Sequence, residues 1–198
     1  MPRRAPRRSP SPRLVGVAPL ALALACAAGP QGTTEGASEA SGASSTGPAG
    51  EPAELVIADA WEQVDGASDP LADHRPDPVE CGLAGIFVES GELEIDTNFC
   101  NYAMVVQPGL VPVPAGSTLT IKLRHYDLTA AAPASAHVAL LIGGEIVWEK
   151  MIVIPGPAEV ISVDVPAPTA QPAGVPVHFH LHNHGQNNWI LTGVTVTP

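Results

Sequence analysis

Basic side chains are scarce in this chain, and more than half of them stand at its start. The 198 residues hold 9 Lys and Arg against 20 Asp and Glu. Five of the nine are Arg3, Arg4, Arg7, Arg8 and Arg13, so only Arg75, Lys122, Arg124 and Lys150 follow. Without its first 25 residues the chain has 4 basic against 20 acidic residues, a net charge of −16. Such a surface repels phosphate backbones and anionic headgroups, which excludes nucleic acid as a partner. Long apolar runs are also missing. LVGVAPLALALAC at 14–26 has 13 residues, short of the roughly 18–20 that span a bilayer as a helix. Long amphipathic helical periods are absent and 22 prolines recur along the chain, which excludes a helical bundle. No G-x-S-x-G elbow, phosphate-cradling glycine loop or H-E-x-x-H helix occurs, so the expectation is a non-catalytic protein.

What is present begins with the arginines. A charged start, a brief apolar run and small residues make a secretory signal. The junction Ala23-Leu24-Ala25-Cys26 resembles the lipobox of bacterial lipoproteins. That resemblance implies cleavage after residue 25, acylation of Cys26, and attachment to the membrane through this N-terminal lipid (palmitate-like chains). Each buried acyl methylene contributes about 0.8 kcal/mol, and several chains anchor durably. Ala27 stands where inner-membrane lipoproteins of that family can carry an aspartate, which implies the outer membrane, facing the periplasm or the exterior. The alternative is an ordinary secretory signal cut near Ala28. Residues 26–53 then form the lipidated cysteine and a tether of Ala, Gly, Ser, Thr, Pro and Glu, too poor in apolar groups to offset its ordering entropy. A chain of this length has an r.m.s. span of about 30 Å. One folded domain is expected over 54–198.

Setting Cys26 aside leaves Cys81 and Cys100. An even pair in an oxidising compartment reads as a disulfide, and two buried free thiols are the alternative. Short β-rich runs separated by Gly and Pro follow. Strands are expected at 85–89, 92–96, 102–107, 117–126, 137–142, 145–148, 152–154, 159–165, 175–183 and 189–197, with a short helix over 55–63. In the fourth run Leu119, Ile121 and Leu123 alternate with Thr118, Thr120, Lys122 and Arg124, the period of a half-buried strand. Gly143-Gly144 predicts a tight primed hairpin turn. The fold class is all-β, an antiparallel Greek-key β-sandwich of jelly-roll or cupredoxin-like type. Asp65, Asp69, Asp73 and Asp77 are expected in a solvated loop, with structural calcium as the alternative.

Four of the seven histidines fall in His178-Phe179-His180-Leu181-His182-Asn183-His184. On a strand all four share one face, about 6.5–7 Å apart, while Val177, Phe179 and Leu181 share the other. Neutral imidazoles are preferred ligands of Cu and Zn. A site needs further donors, for which His125, His137, Asp127, Glu145 and Glu149 are available. The candidate metal set is therefore His178, His180, His182, His184 and His137. The bland alternative is a strand with one apolar and one polar face, as any half-solvated sheet requires.

The run from Phe179 to His184 is similar to the copper-ligand H-P-x-H-L-H-x-H run of multicopper oxidases, with Val177 where the first histidine would stand. Phe179-His180-Leu181-His182 with Gly185 and Asn187 also resembles the F-H-V-H…G-D-N run of copper-zinc superoxide dismutases, which implies His180 and His182 as copper ligands. The stretch 113–124 and the C-terminal strands resemble cupredoxins, although no cysteine follows Cys100 to supply a blue-copper thiolate. The later zinc-loop histidines of the dismutases are likewise missing. The domain is similar in style to the jelly-roll modules that bind carbohydrates. Gln186, Asn187, Asn188 and Trp189 are the candidate ligand rim, since amides give directional hydrogen bonds and an indole accepts flat rings. A plain hairpin with a packing tryptophan is the alternative. The expected function is a membrane-anchored, non-catalytic binding module for a glycan or protein. The alternative is a cupredoxin-like copper- or zinc-binding protein.

Overall fold

Alternation decides the architecture. The computed structural model describes residues 50–198, so the expected signal, Cys26 and residues 27–49 of the tether lie outside the described residues. Eleven strands follow one another: β1 (Ala53–Glu54), β2 (Glu62–Gln63), β3 (Ile86–Glu89), β4 (Glu92–Asp96), β5 (Tyr102–Pro108), β6 (Thr118–His125), β7 (Ala134–Ile142), β8 (Glu145–Ile154), β9 (Glu159–Pro166), β10 (Pro176–Asn183) and β11 (Asn188–Thr197). They form two sheets, one in the order β3-β4-β11-β6-β9 with β1 also on β11, the other in the order β2-β5-β10-β7-β8. Every pairing is antiparallel. The facing quartets β4-β11-β6-β9 and β5-β10-β7-β8 have the strand order of a jelly roll, which decides between the two expected sandwich types and corrects the cupredoxin-like one.

Leu119, Ile121 and Leu123 of β6 point between the sheets, against Val138, Leu140 and Ile142 of β7 and Val177, Phe179 and Leu181 of β10. The Gly143-Gly144 turn joins β7 to β8 with both glycines at positive φ, 62° and 86°, a conformation that would strain any residue with a Cβ. Two expectations are corrected. The stretch 55–63, expected as a helix, holds a 3-10 turn at Ala58–Ala60 followed by strand β2. The segments expected at 145–148 and 152–154 are one ten-residue strand, β8. Pairing also begins one residue earlier than the expected boundary, since Ala53 opposes Val196.

Cys81 and Cys100 form a disulfide across 19 residues. By loop-closure entropy this bridge stabilises the fold by about 3 kcal/mol. Reduction, or the paired change Cys81→Ser and Cys100→Ser, should lower the unfolding free energy by that amount in urea titrations. An unchanged midpoint would count against the bridge as a stabilising element.

One departure from an ordinary sandwich positions the site. In β7, every residue from Ala136 to Ile142 is buried, and in β10 every residue from Val177 to Leu181. Sheets with one solvated face alternate instead. The outer face of the five-stranded sheet must therefore be covered.

Candidate functional site

The cover is the segment 64–80, a strap laid across the outer face of β5, β10 and β7. It is pinned at one end by the Val64 amide, which donates to the Met104 carbonyl at 2.8 Å. At the other end the Glu80 amide donates to Asn101 Oδ1 at 2.9 Å, next to the disulfide. Asp69 fastens the middle. Its carboxylate accepts from the Tyr102 hydroxyl at 2.7 Å, from Arg75 Nη1 at 2.8 Å and from the Leu71 amide at 2.8 Å. The Arg75 guanidinium also sits 5.0 Å from the centre of the Tyr102 ring, within cation–π range. Burial alone would raise the Asp69 pKa. The hydrogen bonds from Tyr102, Arg75 and Leu71, with the Arg75 charge, reverse that and hold the carboxyl below its ordinary range. The same burial and the nearby carboxylate push the Tyr102 phenol far up. Asp69, expected in a solvated loop, is thus a buried anchor.

The strap brings His74 against the histidine strand. The His74 ring centre lies 5.2 Å from that of His137 and 6.2 Å from that of His180, and His137 and His180 are 5.0 Å apart. Tyr102 meets His180 edge-on at 5.0 Å and His182 at 5.6 Å. His182 and His184 are 4.5 Å apart at the rim. Register explains the grouping: His182 pairs with His137 on β7 and with Tyr102 on β5. An open pocket of about 270 Å³ is lined by His74, Ser135, His137, Glu149, Met151, His182 and His184, with His180 fully buried beside them.

The imidazoles differ in state. Burial, helped by the neighbouring His137, His182 and His74 and opposed by Asp69, pushes the His180 pKa down to about 3. The ring is therefore neutral at physiological pH. Burial lowers His178 and His182 as well. His137 Nε2 is 2.9 Å from Glu149 Oε2. A carboxylate only accepts, so this nitrogen carries a proton, and in the neutral ring Nδ1 is then the lone pair. That Nδ1 and both ring nitrogens of His180 are buried without a partner. A buried polar atom left unpaired costs about 1–3 kcal/mol, and three of them lie together in this cluster.

The expected site residues are thus sorted. His137, His180 and His182 come together, His184 stands at the rim, and His178 is buried on the same face with no imidazole stacked on it. The expected rim is corrected at Trp189, Asn187 and Asn188, while Gln186 stays exposed. Trp189 is 1% exposed and packs against His125 with ring centres 4.5 Å apart, so its face is not offered to a ligand. Asn187 Nδ2 donates to the Asp127 carbonyl at 2.6 Å, and Asn188 Nδ2 donates to Glu94. Those amides hold the loop together. Gln186 pairs through its backbone with Thr129. His74, Tyr102 and Asp69 were not expected at the site. Their sequence signal was a lone histidine between an aspartate and an arginine, Asp69 to Arg75, readable only once the histidine face was known to need a cover.

The described part of the chain is a jelly-roll β-sandwich carrying an imidazole pocket under a strap. No family model and no curated protein matches the chain. Among solved structures it is similar to a CBM4 module, with 13% identity and a TM-score of 0.40 over 71% of this chain and 96% of that one. It is also similar to a CBM28 carbohydrate-binding module specific for non-crystalline cellulose, with 11% identity and a TM-score of 0.39 over 60% and 86%. The N-terminal cellulose-binding domain of a Cellulomonas fimi β-1,4-glucanase gives 14% and 0.38 over 60% and 83%.

Proposed function

We propose that this protein is a non-catalytic binding module, held at the cell envelope by a lipid on Cys26, that takes a glycan or protein ligand at the imidazole pocket. One observation carries the reading: buried, unpartnered ring nitrogens beside an open pocket on a sheet face that the strap otherwise seals. Such atoms supply directional donors and acceptors, and Met151 supplies an apolar wall. The anchor is supported by the lipobox-like junction at 23–26. The acidic balance of the mature chain leaves the lipid, rather than basic side chains, to hold it at a membrane.

The test is capture of soluble polysaccharides and envelope proteins by the detergent-solubilised full chain. It is compared with Ser135→Trp, which fills the pocket mouth. Capture should weaken at least about tenfold, as loss of a central contact commonly does. Equal capture by the two proteins would remove the pocket as the site. Mass spectrometry of the same preparation should show acyl chains on Cys26, and an unmodified Met1 would refute the anchor.

A further inference from the structure

We propose that the pocket floor holds one d-block divalent cation, Zn²⁺ or Cu²⁺, on the imidazoles of His74, His137 and His180, with His182 as the fourth donor. This rests on the reading of the pocket as the binding site and names its resident.

Three elements supply the ligands: the strap, β7 and β10. Their spacing fits one ion. With metal–nitrogen bonds of about 2.0–2.1 Å and ring centres about 1.1 Å behind the nitrogen, two imidazoles on a tetrahedral ion have centres about 5 Å apart. The observed separations are 5.0, 5.2 and 6.2 Å. The ring planes are inclined by 64°, 34° and 79°, which radial ligands allow and parallel stacking does not. Among the described residues no three donor groups already converge on a point, so binding turns the rings about their own bonds and closes the longest separation. The strap carrying His74 is the element that can give.

The surroundings fit a cation as well. Glu149 accepts from Nε2 of His137 at 2.9 Å. This is the outer carboxylate that orients a ligating histidine and directs its other nitrogen to the metal. That other nitrogen, Nδ1, is buried without a partner, as are both nitrogens of His180. One of the His180 nitrogens is a lone pair in the neutral ring, and a cation satisfies it where no protein donor does. Imidazole ligands with no thiolate suit Zn²⁺ or Cu²⁺ rather than Mg²⁺ or Ca²⁺. The site differs from a bare histidine row: His178 and His184 lie outside it, and His74, over a hundred residues upstream, lies within.

The experiment uses the full chain stripped with EDTA and titrated separately with Zn²⁺ and Cu²⁺, with Co²⁺ as the visible probe. One equivalent should bind at sub-micromolar strength, and Co²⁺ should give the intense bands of a tetrahedral site. Loss of an outer carboxylate costs about 10–100-fold, so Glu149→Gln should weaken binding about tenfold and His74→Ala or His180→Gln at least about 100-fold. His178→Ala should leave affinity unchanged. His74 lies on the strap outside both sheets, so His74→Ala keeps the fold, which circular dichroism verifies. Binding that survives His74→Ala, or that is lost only on His184→Ala, would overturn the site in favour of adventitious surface histidines. Ligand capture repeated in EDTA separates the two readings. Capture that still depends on Ser135 while no tight metal binds leaves the module standing and removes the ion.

Discussion

Replacing Trp189 by alanine should lower the unfolding free energy by about 3–5 kcal/mol, the cost of emptying a large aromatic site from a core. The indole is among the largest fully buried side chains. It stands on β11 opposite His125 of β6 and belongs to the cluster between the sheets. Little collapse can refill the space, because β11 is held at Trp189 by β4 on one side and β6 on the other. Urea unfolding followed by far-ultraviolet circular dichroism measures the loss. A change below about 1 kcal/mol, the scale of a surface substitution, would return Trp189 to the loop surface. Metal binding should be retained by whatever fraction stays folded, because the indole faces away from the imidazole pocket.

Asp69→Ala is the second large effect. It leaves the Tyr102 hydroxyl and the Arg75 guanidinium without the acceptor they share. Breaking a buried charged pair from one side costs about 3–5 kcal/mol. Arg75 retains 23% side-chain exposure and recovers part of that in water, so about 3 kcal/mol is expected. The loss should fall on the strap first. Amide exchange should accelerate at 64–80 while β6, β7 and β10 stay protected. Uniform acceleration across the sandwich would show that the strap is part of the global unfolding unit. Acid should reproduce the variant. The folded Asp69 pKa lies below the ordinary value of 3.8, so the native state holds fewer protons than the unfolded one in that interval. Its contribution is complete above the unfolded value and is lost as the pH falls through the folded one. Strap protection in metal-free protein should therefore fade below about pH 4, and Asp69→Ala should flatten that dependence.

What could be read from the sequence was what is local. Period-two alternation placed Leu119, Ile121 and Leu123 inward and put the four histidines opposite Phe179, because side-chain direction on a strand follows from neighbours two residues away. Gly143-Gly144 announced its turn for the same reason. The strap was not legible. Its position depends on the Asp69–Tyr102 contact across 33 residues, and nothing within 64–80 signals which sheet face will receive it. Trp189 misled for a related reason. Its polar neighbours Gln186, Asn187 and Asn188 suggested a surface rim, whereas its own register on β11 turns the ring inward and the Asn187 and Asn188 amides bond to the chain. The 55–63 stretch had apolar spacing suited to a helix, yet the Leu55 amide bonds to Val194 of β11 and residues 62–63 are captured by β5 as β2, and tertiary pairing outweighed a weak propensity.

The bridge between Cys81 and Cys100 lies at the C-terminal hinge of the strap. In a thiol-rich compartment that covalent tie is lost, and the strap is held to the sheet by the Asp69 contacts and by the hydrogen bonds at Val64 and Glu80 alone. Oxidation adds a covalent tie seven residues beyond His74. A chain still in reducing surroundings should therefore keep the sandwich while holding the strap less tightly against the histidine face.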